Sequence, residues 1–157
     1  MKKLTLALLL IFSCATAWAA DFDKGLAAYE AGDFATTLTE WKPLAEQGDA
    51  GAQYYLGLTY GKGEGVIEDY KEAVKWCRLA AEQGHPKAQA MLGAMYAEGR
   101  GVIQDNVYAH MWLNIAAVNG LEEALKFKEE LTELPPEEIS SLPYLTSNCI
   151  ENNYKDC

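Results

Sequence analysis

The sequence predicts an all-α fold, an α/α solenoid of stacked helical hairpins with a C-terminal helical cap. Three observations lead there. A pattern of 33 residues beginning at Ala52 returns at Ala88 with a constant offset of 36, and close to half of the paired positions are identical. Within each copy the apolar residues recur at helical spacing. Aspartates and glycines stand where helices would start and stop. Self-similarity at a period in this range is the signature of stacked supersecondary units.

The chain has 157 residues, enough for one domain with a buried core. Residues 1–19 read as a signal peptide. Lys2 and Lys3 precede the apolar run Leu4–Phe12, which is too short to span a bilayer, and Ala17 and Ala19 form a small-x-small cleavage pattern with the cut after Ala19. The expected location is periplasmic or secreted, with no transmembrane segment in the mature form. Cys14 raises the alternative of a lipoprotein signal, but the bulky Phe12 suits that pattern less well than the alanines suit cleavage. The formal charge is −10, and −12 once Lys2 and Lys3 are removed. No basic stripe is present, so nucleic acid is excluded as a partner by charge repulsion.

The first unit, residues 20–48, is short. Its Gly48 lies 36 before Gly84, but its Gly25 lies only 32 before Gly57, so four residues are missing between its helices. "YEAGDF" makes the tight turn, with Asp33 in the capping position.

The second and third units cover residues 49–84 and 85–120. The first helix of each carries Ala52, Leu56, Gly57 and Tyr60, or Ala88, Leu92, Gly93 and Tyr96, on one face. The second helix starts at Asp69 or Asp105, whose carboxylates can accept the free amides of a first turn. Glu72, three residues after Asp69, suits a capping box. The second helix ends at Gly84 or Gly120, where glycine can take the left-handed conformation. His85, at the place of Asp49, helps start the next helix.

The loop "YGKGEGV", with three glycines and Lys62, raises the question of a phosphate site. A phosphate loop needs a preceding strand and the spacing G-x-x-x-x-G-K-[ST], and neither is present. In the next copy Lys62 becomes Glu98. Gly61, Gly63 and Gly65 are therefore read as residues that reverse the chain between two helices. Val66 and Ile67, repeated as Val102 and Ile103, are expected to tuck the loop end against the hairpin. Trp41, Cys77 and Leu113 occupy one repeat position. Such a mixture predicts a buried apolar slot, with Cys77 a core residue rather than a reactive thiol. Trp76 and Trp112 also recur at the period and are read as core.

In the tail, residues 121–157, Ala124 keeps the phase of Ala52 and Ala88, but Lys128 and Glu129 replace the Leu-Gly pair. One side of this helix can cover the last repeat while the other meets water, as a solenoid end requires. "LPPEEI" starts a further helix, with Pro136 in its first turn. Pro143 is expected to kink or split the last helix. Cys149 and Cys157 are the natural disulfide pair in an oxidising compartment, leaving Cys77 free, and closing a ring of about eight residues would contribute about 2.5 kcal/mol. The alternative is three unpaired thiols.

"AQYYLGLTYGKGEGVIEDYKEAVKWCRLAAEQGHPKAQAMLGAMY" resembles the Sel-one-like repeat (SLR) in its A-x-x-x-L-G-x-x-Y helix, its glycine-rich loop and its A-A-x-x-G helix end. The first unit is more similar to the tetratricopeptide repeat, whose loop is shorter. The resemblance covers Phe22 to about Gly120. It implies a non-catalytic scaffold that binds another protein or a peptide, with no catalytic residue, cofactor or metal to carry over. A cysteine pair in a helical cap is also a feature of small exported SLR proteins. The first helices of such hairpins line the inner wall, so positions that vary between copies are the candidate partner-binding residues. Tyr54, Tyr55 and Thr59 become Ala90, Met91 and Met95, side chains suited to an adaptable groove or, equally, to packing between repeats.

Two other functions are weighed. One is a structural envelope protein that works by self-association. The other is a weak β-lactam-binding or β-lactam-hydrolysing enzyme, because some disulfide-rich relatives of the family are described in that role. Ser140, Ser141 and Ser147 lack the S-x-x-K spacing of serine enzymes of that class. His85 and His110 form no H-E-x-x-H, and no C-x-x-C is present.

Overall fold

A computed structural model describes residues 20–131, 134–155 and 157. The expected signal peptide, its cleavage site and Cys14 lie outside these residues. The described chain is helical: α1 Phe22–Glu30, α2 Phe34–Glu46, α3 Ala50–Lys62, α4 Tyr70–Ala81, α5 Pro86–Glu98, α6 Asn106–Val118, α7 Glu123–Glu130, α8 Pro136–Ile139 and α9 Leu142–Glu151. Each helix packs on the next through α7, so α1–α2, α3–α4 and α5–α6 form three successive hairpins, and α9 returns to pack on α6.

The helix starts follow from capping chemistry. Asp21, Asp33, Asp49, Asp69 and Asp105 each accept first-turn amides through a carboxylate oxygen. His85 takes the same place for α5, its Nδ1 accepting from the Ala88 amide at 3.2 Å. The capping box at Asp69 is only half formed. The Asp69 amide donates to the Tyr60 carbonyl, and Glu72 pairs with Lys75 instead of reaching back.

Within each repeat, the hairpin loops differ from expectation in two ways. Gly61 is still helical, because α3 runs to Lys62, and the reversal is made by Gly63 (φ 68°) and Gly65 (φ 74°). Val66 and Val102 are half-buried, but Ile67 and Ile103 are each 90% exposed, since successive residues of an extended segment point opposite ways. Gly101 (φ 73°) has a second reason to be glycine. A Cβ there would collide with the backbone of Tyr70, at the start of the preceding repeat's second helix.

Each hairpin is held by a glycine facing a slot. Trp41, Cys77 and Leu113 are all 0% exposed, and a Cβ on Gly25, Gly57 or Gly93 would run into the corresponding one of them. The missing side chain on the first helix lets the second approach closely, and the slot residue fills what remains. Ala52, Leu56, Ala88 and Leu92 are fully buried, and Trp76 and Trp112 join the core.

A polar ladder that sequence reasoning missed links the hairpins. Gln53 and Gln89 are buried. Their Nε2 groups donate to the carbonyls of Ala45 and Ala81 at 3.0 Å, and their Oε1 atoms accept from Gln83 and Asn119 at 2.7 and 2.9 Å. Buried amides of this kind are stable only when paired. The "AQ" shared by both copies was its visible sign.

At the C-terminal end, Pro143 sits in the first turn of α9, where its missing N–H costs nothing. The split falls before it, at Ser140 and Ser141. The outer face of α6 is covered by α9. Val107, Met111 and Ile115 stand where α4 has Lys71, Lys75 and Leu79, and Met111 and Ile115 share a core cluster with Leu142 and Cys149, while Val118 at the end of α6 stays exposed. Cys149 and Cys157 are disulfide-bonded, with Cα atoms 5.4 Å apart, and Cys77 is a buried free thiol.

Candidate functional site

The starts of α1, α3 and α5 and the turn from α6 to α7 enclose a groove of about 370 Å³. Its side-chain walls are Phe22, Tyr54, Tyr55, His85, Lys87 and Leu121. The repeat brings them together, because equivalent turns stack on one another along the solenoid.

The aromatic wall is built inward from Trp41. Its Nε1 donates to the Phe22 carbonyl at 3.1 Å, and its ring stacks on Tyr55 with centroids 4.5 Å apart. Phe22 meets Tyr55 edge-on at 5.9 Å. Tyr54 meets Tyr55 edge-on at 5.2 Å and stacks on His85 at 5.0 Å. Offset and edge-on pairs of this kind are the favourable aromatic geometries. The wall is therefore formed by the fold itself, while Lys87 stands exposed at its rim.

Burial, reinforced by the Lys87 charge, holds the His85 imidazole below its ordinary value, with Asp49 opposing. Its Nδ1 is an acceptor for α5, so the neutral ring is the form that fits. Burial also raises the Tyr54 phenol.

The candidate partner-binding residues separate into three groups. Tyr54 and Tyr55 line the groove. Met91 is half-buried farther along α5, with its sulfur 3.4 Å from Cys77 Sγ, beside a separate hollow of about 170 Å³. Thr59 and Met95 are buried, at 0% and 5% exposure, and Met95 lines the same hollow as Met91. Thr59 donates to the Tyr55 carbonyl at 2.8 Å. Thr59 is enclosed, because a first helix flanked by its own partner and by neighbouring repeats keeps only a narrow face open. Phe22, His85, Lys87 and Leu121 were missed as site residues. They lie near helix starts, whereas the variable positions singled out lie mostly mid-helix.

A larger apolar groove of about 720 Å³ lies between α6, α7 and the α8–α9 segment, with Val118, Leu125, Ile139 and Pro143 on its walls. It carries no aromatic wall and no repeat-related feature.

Burial pushes the Cys77 thiol up to about 12, leaving it inert at neutral pH. Ser140 and Ser141 donate their hydroxyls to the Glu137 and Glu138 carbonyls at 2.7 Å, and Ser147 donates to Glu151 Oε1 at 2.9 Å. Ser140 and Ser141 thus contact only carbonyls, and Ser147 meets its carboxylate as an exposed i,i+4 pair on the surface of α9. Among the described residues no group of three His, Cys, Asp or Glu side chains could hold a metal, and no helix is long and apolar enough to cross a membrane.

The model of the Sel1 repeat matches residues 50–85 and 86–121. Among solved structures, the chain is similar to c5321, a protective antigen of uropathogenic Escherichia coli strains that displays an SLR fold. The identity is 28% and the TM-score 0.74, over 83% of this chain and 30% of that one. It is also similar to a Sel1 repeat protein from Oxalobacter formigenes, with 28% identity and a TM-score of 0.66, over 82% of this chain and 55% of that one. The chain thus spans less than two thirds of either neighbour. No curated protein matches it. Residues 50–121 thus carry two Sel1 repeats, and the stacked hairpins give the chain the SLR fold of its neighbours.

Proposed function

We propose that the protein is a non-catalytic, exported scaffold, working in the periplasm or outside the cell, that binds a protein or peptide segment in the groove walled by Tyr54 and Tyr55. Sel1-repeat proteins are generally interaction scaffolds, which supports the coarse reading. The observation that carries the finer one is the aromatic wall. A half-buried cluster anchored on Trp41 offers apolar area whose ordering cost is already met by the fold, the property that distinguishes binding hot spots. Export rests on the charged start, apolar run and alanine pattern of residues 1–19.

The test is capture from envelope extract with the oxidised mature protein, residues 20–157, as bait. Comparison baits carry Tyr54→Ala or Lys87→Glu, which change the groove without opening the Trp41 slot. A protein captured by the wild type and lost with both variants supports the reading. Equal capture by all three baits, or none by any, refutes the groove as the binding site.

A second reading, self-association, is favoured by the apolar groove beside α9. Val118 and Ile139, on its walls, are 69% and 51% exposed. Light scattering tests it, because a monomer at all concentrations excludes it.

A further inference from the structure

The C-terminal ring touches the groove from behind. Inside the ring closed by Cys149 and Cys157, Asn153 and Tyr154 have φ of 51° and 63°. Asn takes that left-handed conformation readily, whereas a bulky Tyr adopts it only where the surroundings impose it. Three contacts tie the ring to the repeats. Arg78 Nη1 donates to the Cys157 carbonyl at 3.3 Å. The Tyr154 hydroxyl donates to Asn119 Oδ1 at 3.1 Å. The Tyr154 ring covers the open side of Gly84, where an added Cβ would meet it at 3.3 Å.

Gly84 and Asn119 are the chain neighbours of His85 and Gly120, and both of these line the groove. Asn119 also holds Gln89 of α5 through its amide, so Tyr154 ends the polar ladder of the last repeat.

We propose that the disulfide ring is a redox-sensitive strut of the binding groove. Oxidised, it wedges Tyr154 against the turns at 84–85 and 119–120 and holds the α5 and α6–α7 walls in place. Reduced, it releases them. The regulatory meaning rests on the groove being the binding site.

The chemistry requires a dithiol reductant. One of its thiolates attacks Cys157 Sγ, the sulfur of the less buried cysteine, forming a mixed disulfide and expelling the Cys149 thiolate, which takes a proton from solvent. The second reductant thiol then closes the reductant's own disulfide and releases Cys157 as a thiol. Two electrons and two protons pass to the protein, and the dithiol is oxidised.

Hydrogen exchange read by mass spectrometry tests the strut directly. The samples are oxidised mature protein, the same protein in dithiothreitol, and oxidised Tyr154→Ala and Tyr154→Phe. Reduction and Tyr154→Ala should each speed exchange roughly tenfold at residues 84–89 and 119–121 while leaving α1 to α3 unchanged. Tyr154→Phe keeps the ring over Gly84, so its effect should be confined to 119–121. Changes limited to 149–157, or spread evenly over all repeats, overturn the proposal. Faster exchange at the two turns in a protein that captures nothing through the groove leaves the strut standing and removes the binding reading. Capture through the groove with no change at the turns does the reverse.

Discussion

Replacing glycine by alanine at two points of the first helices should have opposite effects. Gly93 in α5 faces the slot. A Cβ there would lie 2.9 Å from Leu113 Cγ and 3.1 Å from the Ala109 carbonyl oxygen. Leu113 is fully buried and the carbonyl belongs to α6, so neither can give way cheaply. Forcing a methyl into a packed core costs about 1–3 kcal/mol, and contact with backbone favours the upper part of that range. The gain from alanine's helix propensity is about 1 kcal/mol, so Gly93→Ala should lose roughly 1–2 kcal/mol net. Gly61, in the last turn of α3, has room. Its Cβ would meet Met91 Cε at 3.5 Å and Ala73 Cβ at 3.6 Å, both ordinary contacts. Gly61→Ala should therefore gain up to about 1 kcal/mol. The equivalent residue in the third repeat is already Ala97. Urea unfolding of the oxidised protein, followed by circular dichroism, measures both. If Gly93→Ala is neutral or stabilising, or Gly61→Ala is as damaging as Gly93→Ala, close approach at the glycine is not what holds the hairpin.

Three further outcomes are expected. Cys77, with its thiol pushed up to about 12, should not react with a thiol-titrating disulfide reagent in the native oxidised protein and should react once per chain in denaturant; rapid native labelling would contradict the buried slot. Because the fold holds His85 below its ordinary value of about 6.5, its neutral form contributes stability that is present above that pH and lost as pH falls through the folded value. His85→Asp, copying Asp49, should therefore reduce the loss of stability below pH 6.5, and an unchanged pH profile would refute the capping role. Glu40 is held below its ordinary value chiefly by the Lys24 hydrogen bond, with the Asp21 amide adding to it, so its stabilising contribution is present above the usual carboxylate range and lost on acidification below it. The acid limb of the unfolding curve should flatten in Glu40→Gln, and an identical limb would show that the pair does not matter.

The sequence by itself determined the repeat, its 36-residue period, the helix starts at the aspartates and the slot shared by Trp41, Cys77 and Leu113. These follow from short-range physics. Capping needs one carboxylate near a few free amides, a left-handed turn needs glycine, and a buried position tolerates Trp, Cys or Leu but not charge. Only the tertiary structure decided which variable residues reach the groove. Tyr54 and Tyr55 do, while Thr59 is enclosed and Met91 and Met95 line a separate hollow, because their exposure depends on how neighbouring helices crowd the first helix of each hairpin. The same holds for Phe22, His85 and Leu121. They are distant in the chain and ordinary in their local sequence, and they become one wall only when successive turns stack. The disulfide pair could be read from the tail alone. Its bearing on the groove could not, since that depends on where the fold returns Tyr154 against Gly84 and Asn119.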